Sequence, residues 1–167
     1  MLFAKTLRVR VINQEVSTDD IIPARYKHMY TEPEQLAHHI FEHLIPEFAS
    51  TVRAGDLIVC NSIFGIGSSR EQAVSGLKAA GVDAIIAPSF GRIFYRNCWN
   101  LGIPAVQVEL PAITDNQQAH LNLEAGVLTT ENEGEFKFTP PSDTQIAYVS
   151  SGGLLPRLRE LTGKKEQ

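Results

Sequence analysis

Apolar and polar residues alternate from Leu7 to Ile12, where Leu7, Val9 and Val11 are separated by Arg8 and Arg10. That period of two marks a strand with one buried face, so a strand opens the fold. The stretch Ser17 to Tyr26 is polar and then broken by Pro23, which reads as a loop. After Pro33, residues Leu36, Ile40 and Leu44 recur four apart with Ala37 and Phe41 beside them, the stripe of a helix that stops at Pro46. Leu57 to Cys60 is a short continuous apolar run, expected as a buried strand.

From there the pattern predicts a helix from Glu71 to Ala80 closed by Gly81 and a strand from Ala84 to Ala87. A second helix from Arg92 to Leu101, closed by Gly102, and a strand from Ala105 to Val108 follow. Two strand-and-helix units in succession imply an α/β fold with a parallel or mixed sheet covered by helices. The last third changes character: Val127 to Thr130, Phe136 to Thr139 and Gln145 to Val149 look like short antiparallel strands. Leu154 to Leu161 looks like a closing helix, and Gly163 to Gln167 like a frayed tail.

Composition narrows the class. The chain has 167 residues, 43% hydrophobic and 20% charged, the size and make-up of one globular domain spanning residues 1–167. No apolar run approaches the ~20 residues of a membrane span, and the start MLFAKTLRVR lacks the apolar stretch of a signal peptide, so a cytoplasmic location is expected. With 15 Lys+Arg against 19 Asp+Glu and a net charge of -4, nothing marks a nucleic-acid binder. The two cysteines, Cys60 and Cys98, form no CxxC pair and are too few to hold an iron–sulfur cluster in the ordinary way. His28, His38, His39, His43 and His120 show no zinc spacing, so no metal site is expected in this chain.

The sharpest chemical signal is Phe64-Gly65-Ile66-Gly67-Ser68-Ser69-Arg70-Glu71, between a predicted strand and a predicted helix. Ligands gather beyond the carboxyl ends of strands in open sheets, and free backbone N–H groups at a helix start attract anions. Gly65 and Gly67 let the backbone turn tightly and approach an anion, and Arg70 offers a two-pronged clamp for a carboxylate or phosphate. The segment is neither a P-loop nor a dinucleotide fingerprint, since no Gly-Lys-Ser/Thr follows and Arg70 stands where a third glycine belongs. Ser68-x-x-Glu71 also matches a capping box, with Ser69-x-x-Gln72 a second register, so a purely local role for both serines stays open. A hydroxyl at a helix start beside an arginine has its alkoxide favoured, which turns a weak base into a usable one.

Two further constellations carry arginines. Arg92 and Arg96, four apart in the second helix, share one face and can point to one anionic site, or form a solvated flank behind a core of Ile93, Phe94 and Leu101. In the loop Asp19-Asp20-Ile21-Ile22-Pro23-Ala24-Arg25-Tyr26 the carboxylates suit turn capping, and Arg25 is the residue that looks like a ligand group.

Taken in order, Thr18 to Tyr26, Gly65 to Ala73, Ser89 to Asn97 and Gly102-Ile103-Pro104 resemble the small subunits of 3-isopropylmalate dehydratases, within the wider aconitase family. The resemblance covers most of residues 7 to 155. It implies a three-layer swivelling β/β/α domain of the aconitase C-terminal type with a mixed sheet, and a hydro-lyase active only with a large subunit that carries a [4Fe–4S] cluster. By position, Ser68 matches the serine that removes a proton from carbon, Arg70 the carboxylate-binding arginine and Ser69 a neighbouring substrate contact. Arg25, Arg92 and Arg96 are weaker matches.

One departure concerns the substrate. Members of the isopropylmalate branch commonly follow the tyrosine with Leu, a variable residue and Thr, whereas Tyr26 is followed here by Lys27-His28-Met29-Tyr30-Thr31. Met29 and Tyr30 are suited to an alkyl group, and Lys27 or His28 to an extra carboxylate such as homoaconitate carries. The readings are therefore a small subunit acting on isopropylmalate, one acting on homoaconitate or 2,3-dimethylmalate, and a non-catalytic anion-binding regulatory module.

Overall fold

In the computed structural model residues 3–163 are described. The opening strand β1 (Ala4–Ile12) is longer than its alternating core and lies at the centre of the molecule. It pairs in parallel with β3 (Asp56–Cys60), Val9 opposite Leu57, and antiparallel with β7 (Gln118–Asn122), Leu7 opposite Ala119. Beyond β3 lie β5 (Val82–Ala87) and β6 (Ala105–Gln107), both parallel. Beyond β7 lie β8 (Val127–Thr130) and β9 (Gly134–Lys137), both antiparallel, so the seven-stranded sheet is mixed in the order β6-β5-β3-β1-β7-β8-β9.

All five residues of β3 are buried, and they alternate between two cores. Ile58 and Cys60 join the larger cluster, with Leu36, Phe41, Val74, Leu77, Phe94 and Trp99 from the connecting segments and helices. Leu57 and Val59 join the smaller one, with Leu121 and Leu128 from the far strands. Apolar residues on opposite faces of one strand must each be covered. Helices cover one face, and on the other the sheet curls until β7 and β8 bury their own leucines against β3.

The helices α4 (Glu71–Ala80) and α5 (Arg92–Asn100) lie where their apolar stripes and closing glycines place them. In α4 the C-cap is Gly81 at φ 109, and Ala73, Val74 and Leu77 turn inward. Phe94, Cys98 and Trp99 do the same in α5, leaving Arg92 and Arg96 exposed.

Several expectations are corrected. The polar stretch after the two-residue strand β2 (Val16–Ser17) is not a loop: it forms the one-turn helix α1 (Thr18–Ile21) and a 3₁₀ turn (Ala24–Lys27). A reciprocal capping box starts α1, Ser17 Oγ accepting from Asp20 N at 3.0 Å and Asp20 Oδ2 from Ser17 N at 2.8 Å. The helix expected up to Pro46 stops early, as α2 (Pro33–Ala37), because Phe41 adopts a left-handed φ of 55. The Phe41 N–H donates to Ile21 O at 2.9 Å, so a bond to α1 replaces a helical one. A further single turn, α3 (Phe48–Thr51), precedes β3.

Gln145 to Val149 is not a strand but lies within α6 (Asp143–Ser151), opened by a Ser142–Gln145 capping box and closed by Gly152 at φ 86. The expected strand Phe136 to Thr139 is shifted back to β9, and β7 was not foreseen. The closing helix is present as α7 (Leu154–Thr162). Of the tail expected to fray, residues 164–167 lie outside the described residues. Among the described residues no helix is long and apolar enough to cross a membrane.

Candidate functional site

Because β3 and β5 are parallel neighbours, the connections leaving their carboxyl ends lie side by side. The first runs through β4 (Phe64–Ile66), which pairs with β2, into α4; the second runs from β5 into α5. They are laced together by backbone: Phe64 N donates to Ser89 O and Gly91 N to Phe64 O, both at 3.0 Å. Two glycines permit this contact. A Cβ on Gly91 would stand 2.2 Å from Gly65 O, and one on Gly65, at φ 82, would stand 2.2 Å from the Phe94 ring. Gly65 thus serves packing as well as turning.

After Gly67 the chain does not begin its helix at a serine. Arg70 is the N-cap of α4, and no side chain caps it, so the capping-box reading of Ser68 and Ser69 is overturned. Ser68 instead faces sideways: its Oγ accepts from Arg70 Nε at 2.8 Å and lies 3.3 Å from Thr18 Oγ1. The Arg70 guanidinium is 8% exposed and also donates through Nη1 to Ile22 O at 3.3 Å and through Nη2 to Asp19 Oδ1. Every branch of the arginine is therefore directed, which fixes the hydroxyl it holds. Burial lowers the Arg70 pKa from its ordinary value, yet a guanidinium remains charged in proteins. The cation favours the alkoxide form of Ser68.

Ser68, Ser69, Arg70, Asp19, Lys27 and His28 line a hollow of about 400 Å³, with Ala24 and Gln72 completing its wall. A second hollow, of about 450 Å³, is lined by Gly65, Gly67, Arg92 and Arg96 with Gly91, Ile93 and Phe94. The two adjoin at the Gly67–Ser68 peptide. Three arginines and a lysine against one aspartate give the pair a cationic character suited to a substrate with carboxylates.

Not every residue singled out in the sequence reaches the hollows. Arg25 stacks over Tyr26 and pairs with Glu42 at 3.0 Å, lining neither. Met29 is 61% exposed and Tyr30 packs on other rings, so the loop offers Lys27 and His28 to the hollow rather than its alkyl and phenol groups. Asp20 caps α1 as expected of a turn carboxylate. Asp19 and Gln72 line the hollow and Thr18 touches Ser68 although the sequence marks none of them as a ligand group; for Thr18 and Asp19 the available signal is adjacency to the capping residue Ser17.

Cys60 and Cys98 are buried and unbridged, with Cys60 Sγ donating to Gln14 O at 3.2 Å. Burial pushes both thiols up from their ordinary value. That is the opposite of what a thiolate ligand needs, so they do not fit as ligands of an iron–sulfur cluster. Among the described residues no three His, Cys, Asp or Glu side chains gather as a metal site.

Residues 3–111 match the family described as the aconitase C-terminal domain. The 3-isopropylmalate dehydratase small subunit of Sulfurisphaera tokodaii is 43% identical over 159 residues, 93% of either chain. A methanogen homoaconitase small subunit from Methanothermobacter thermautotrophicus is 44% identical over 149 residues, 89% of this chain and 86% of that one. Among solved structures, a 3-isopropylmalate dehydratase chain from Methanocaldococcus jannaschii superposes with a TM-score of 0.88 at 34% identity, covering 96% of both.

Proposed function

The chain belongs to the aconitase C-terminal domain family, among its dehydratase small subunits, and from that premise we propose that Ser68 and Arg70 are its contribution to a shared active site. A small subunit of a two-chain hydro-lyase has a large-subunit partner. The family's [4Fe–4S] cluster belongs to that partner, and this chain's part in the chemistry is confined to a proton and to carboxylates. We read residues 1–167 as one swivelling domain that closes on the large subunit in the cytoplasm.

The observation that carries the reading is the buried Arg70 guanidinium donating through Nε to Ser68 Oγ at 2.8 Å in a cationic hollow. As alkoxide, Ser68 removes the proton from the carbon beside a carboxylate of the substrate and becomes a hydroxyl. The electron pair left on carbon forms the double bond as hydroxide departs from the neighbouring carbon. Return of hydroxide to the carbon that gave up the proton, and of the serine proton to the carbon that gave up the hydroxide, gives the isomer. Arg70, with Arg92 and Arg96 from the adjoining hollow, binds the carboxylates. Ser69 touches the substrate beside Ser68, and the backbone at Gly65 and Gly67 leaves room for it to approach.

Two of the three relatives named above support 3-isopropylmalate as substrate, and the third is a homoaconitase small subunit. A second reading, homoaconitate, is favoured by one observation: Lys27 and His28 line the Ser68 hollow, whereas Met29 and Tyr30 do not. Reconstitution with the large subunit and a panel of 3-isopropylmalate, homoaconitate and 2,3-dimethylmalate decides between them. Higher kcat/KM on homoaconitate assigns Lys27 and His28 to a third carboxylate. A Ser68→Ala complex that keeps full turnover sinks the catalytic reading and leaves an anion-binding module.

A further inference from the structure

Lys27, His28 and Met29 form a three-residue span between two tyrosines, and both tyrosines are held from outside the hollow. The His39 imidazole lies nearly parallel to the Tyr26 ring with centroids 4.0 Å apart and to the Tyr30 ring at 5.3 Å. The two tyrosine rings are 5.7 Å apart. Below this stack the Tyr26 phenol donates to the Glu42 carboxylate at 2.8 and 3.0 Å from its two oxygens. Arg25 Nη2 donates to Tyr26 Oη at 2.8 Å and to Glu42 Oε2 at 3.0 Å, and His39 Nδ1 stands 3.5 Å from Glu42 Oε1. The backbone N–H groups of Met29 and Tyr30 both donate to Tyr26 O, at 3.2 and 3.1 Å.

We infer that His39 and Glu42 are positioning residues for substrate selection: they clamp Tyr26 and Tyr30, and so hold Lys27 and His28 against the Ser68 hollow. This rests on the reading of that hollow as the active site. A long cation on a free loop loses its conformational freedom each time it meets a ligand, whereas one on a span fixed at both ends has lost much of it beforehand. The clamp stands at the margin of the core, with Tyr26 buried and His39 and Tyr30 half-buried beside it, and ring packing by itself needs neither an imidazole nor a carboxylate. Glu42 also keeps the Arg25 charge engaged, so that the side chains the span offers the hollow are the Lys27 ammonium and the His28 imidazole.

The test uses the full chain carrying His39→Ala, His39→Phe, Glu42→Ala or Tyr26→Phe, each checked for thermal midpoint and for retention on the large subunit. Tryptic cleavage after Lys27 reports how firmly the span is held, and His39→Ala and Glu42→Ala are expected to speed it about tenfold. In the reconstituted complex the same variants shift the ratio of kcat/KM between 3-isopropylmalate and homoaconitate about fivefold, through KM, with kcat on the better substrate within about twofold of wild type. His39→Phe keeps a stacking ring and restores both readouts. Tyr26→Phe, which loses only a hydroxyl, moves both in the same direction by less and serves if His39→Ala does not fold. A merely structural role lowers the active fraction for every substrate alike and leaves the ratio fixed. Unchanged cleavage in the folded variants overturns the clamp, and faster cleavage with an unchanged ratio overturns its role in selection. A wild-type complex inert toward every hydroxy acid in the panel removes the active-site reading and this inference with it; an active one with an unchanged ratio removes the inference alone.

Discussion

Arg70 donates its Nε–H to Ser68 Oγ across 2.8 Å, from a guanidinium that is itself anchored to Asp19 and to the carbonyl of Ile22. A hydroxyl and a guanidinium two residues apart, neither side chain spent on capping the helix that follows, have their geometry set by tertiary contacts.

Ser68→Ala therefore removes the proposed proton acceptor while leaving Arg70 its other partners. Turnover of the reconstituted complex should fall about a thousandfold or more, with large-subunit binding and thermal midpoint unchanged. Steady-state kinetics beside a pull-down assay check this.

Arg70→Lys keeps one positive charge but cannot serve Ser68, Ile22 and Asp19 from one planar fork. Activity should drop about a hundredfold, in kcat and kcat/KM together, despite the retained charge. A drop in KM affinity alone would assign Arg70 to ground-state binding.

Gly91→Ala puts a Cβ 2.2 Å from Gly65 O, where backbone meets backbone and neither side chain can yield. The two connections that carry the site must part, at a cost of about 2–4 kcal/mol. Urea unfolding measures it, and an unchanged midpoint would contradict the close approach.

Asp56, with no exposed surface, accepts from Arg8 at 2.7 Å and from Arg10 at 3.2 Å. Burial works against its ionisation, but Arg8, the Arg53 N–H and Arg10 together hold its carboxyl below the ordinary value. Asp56→Ala strands two arginines at the start of β3 and should destabilise by about 3 kcal/mol. Denaturant unfolding at neutral pH tests it.

Glu133 supplies the pH dependence. Hydrogen bonds from Thr114 and Gln117, joined by Thr130, outweigh burial and bring its pKa down to about 2 from 4.5. A depressed folded-state pKa means that the ionised group stabilises the fold above 4.5 and that this contribution is lost as pH falls toward about 2. Glu133→Gln should flatten the acid limb of stability in that window and leave the dependence above it unaltered, as followed by unfolding midpoints across pH.

How much was legible beforehand depends on how local the determinant was. The period of two around Val9 and the glycines that close α4 and α5 are local, and the strands and helices they predict are present. Gln145 to Val149 failed because a five-residue segment has no decisive period, while the Ser142–Gln145 box that starts α6 was there to be read. Ser68-x-x-Glu71 failed the other way: the capping pattern is present and unused, because Ser68 has Arg70 and Thr18 as partners.

Legible in the sequence were β1, β3, the run α4-β5-α5-β6, β8 and α7, together with the polar residues at the head of α4, since each depends on residues within a turn or two of one another, and the order of the motifs marked the family. Only the tertiary structure decided which of those polar residues meet. Asp19 and Arg70 are 51 residues apart in the chain and in contact through packing alone. The left-handed turn at Phe41 likewise answers to Ile21 in α1, and the Tyr26–His39 stack joins two separate turns of the chain. A contact between distant residues exists only once the core has brought their elements together, and no local pattern records it.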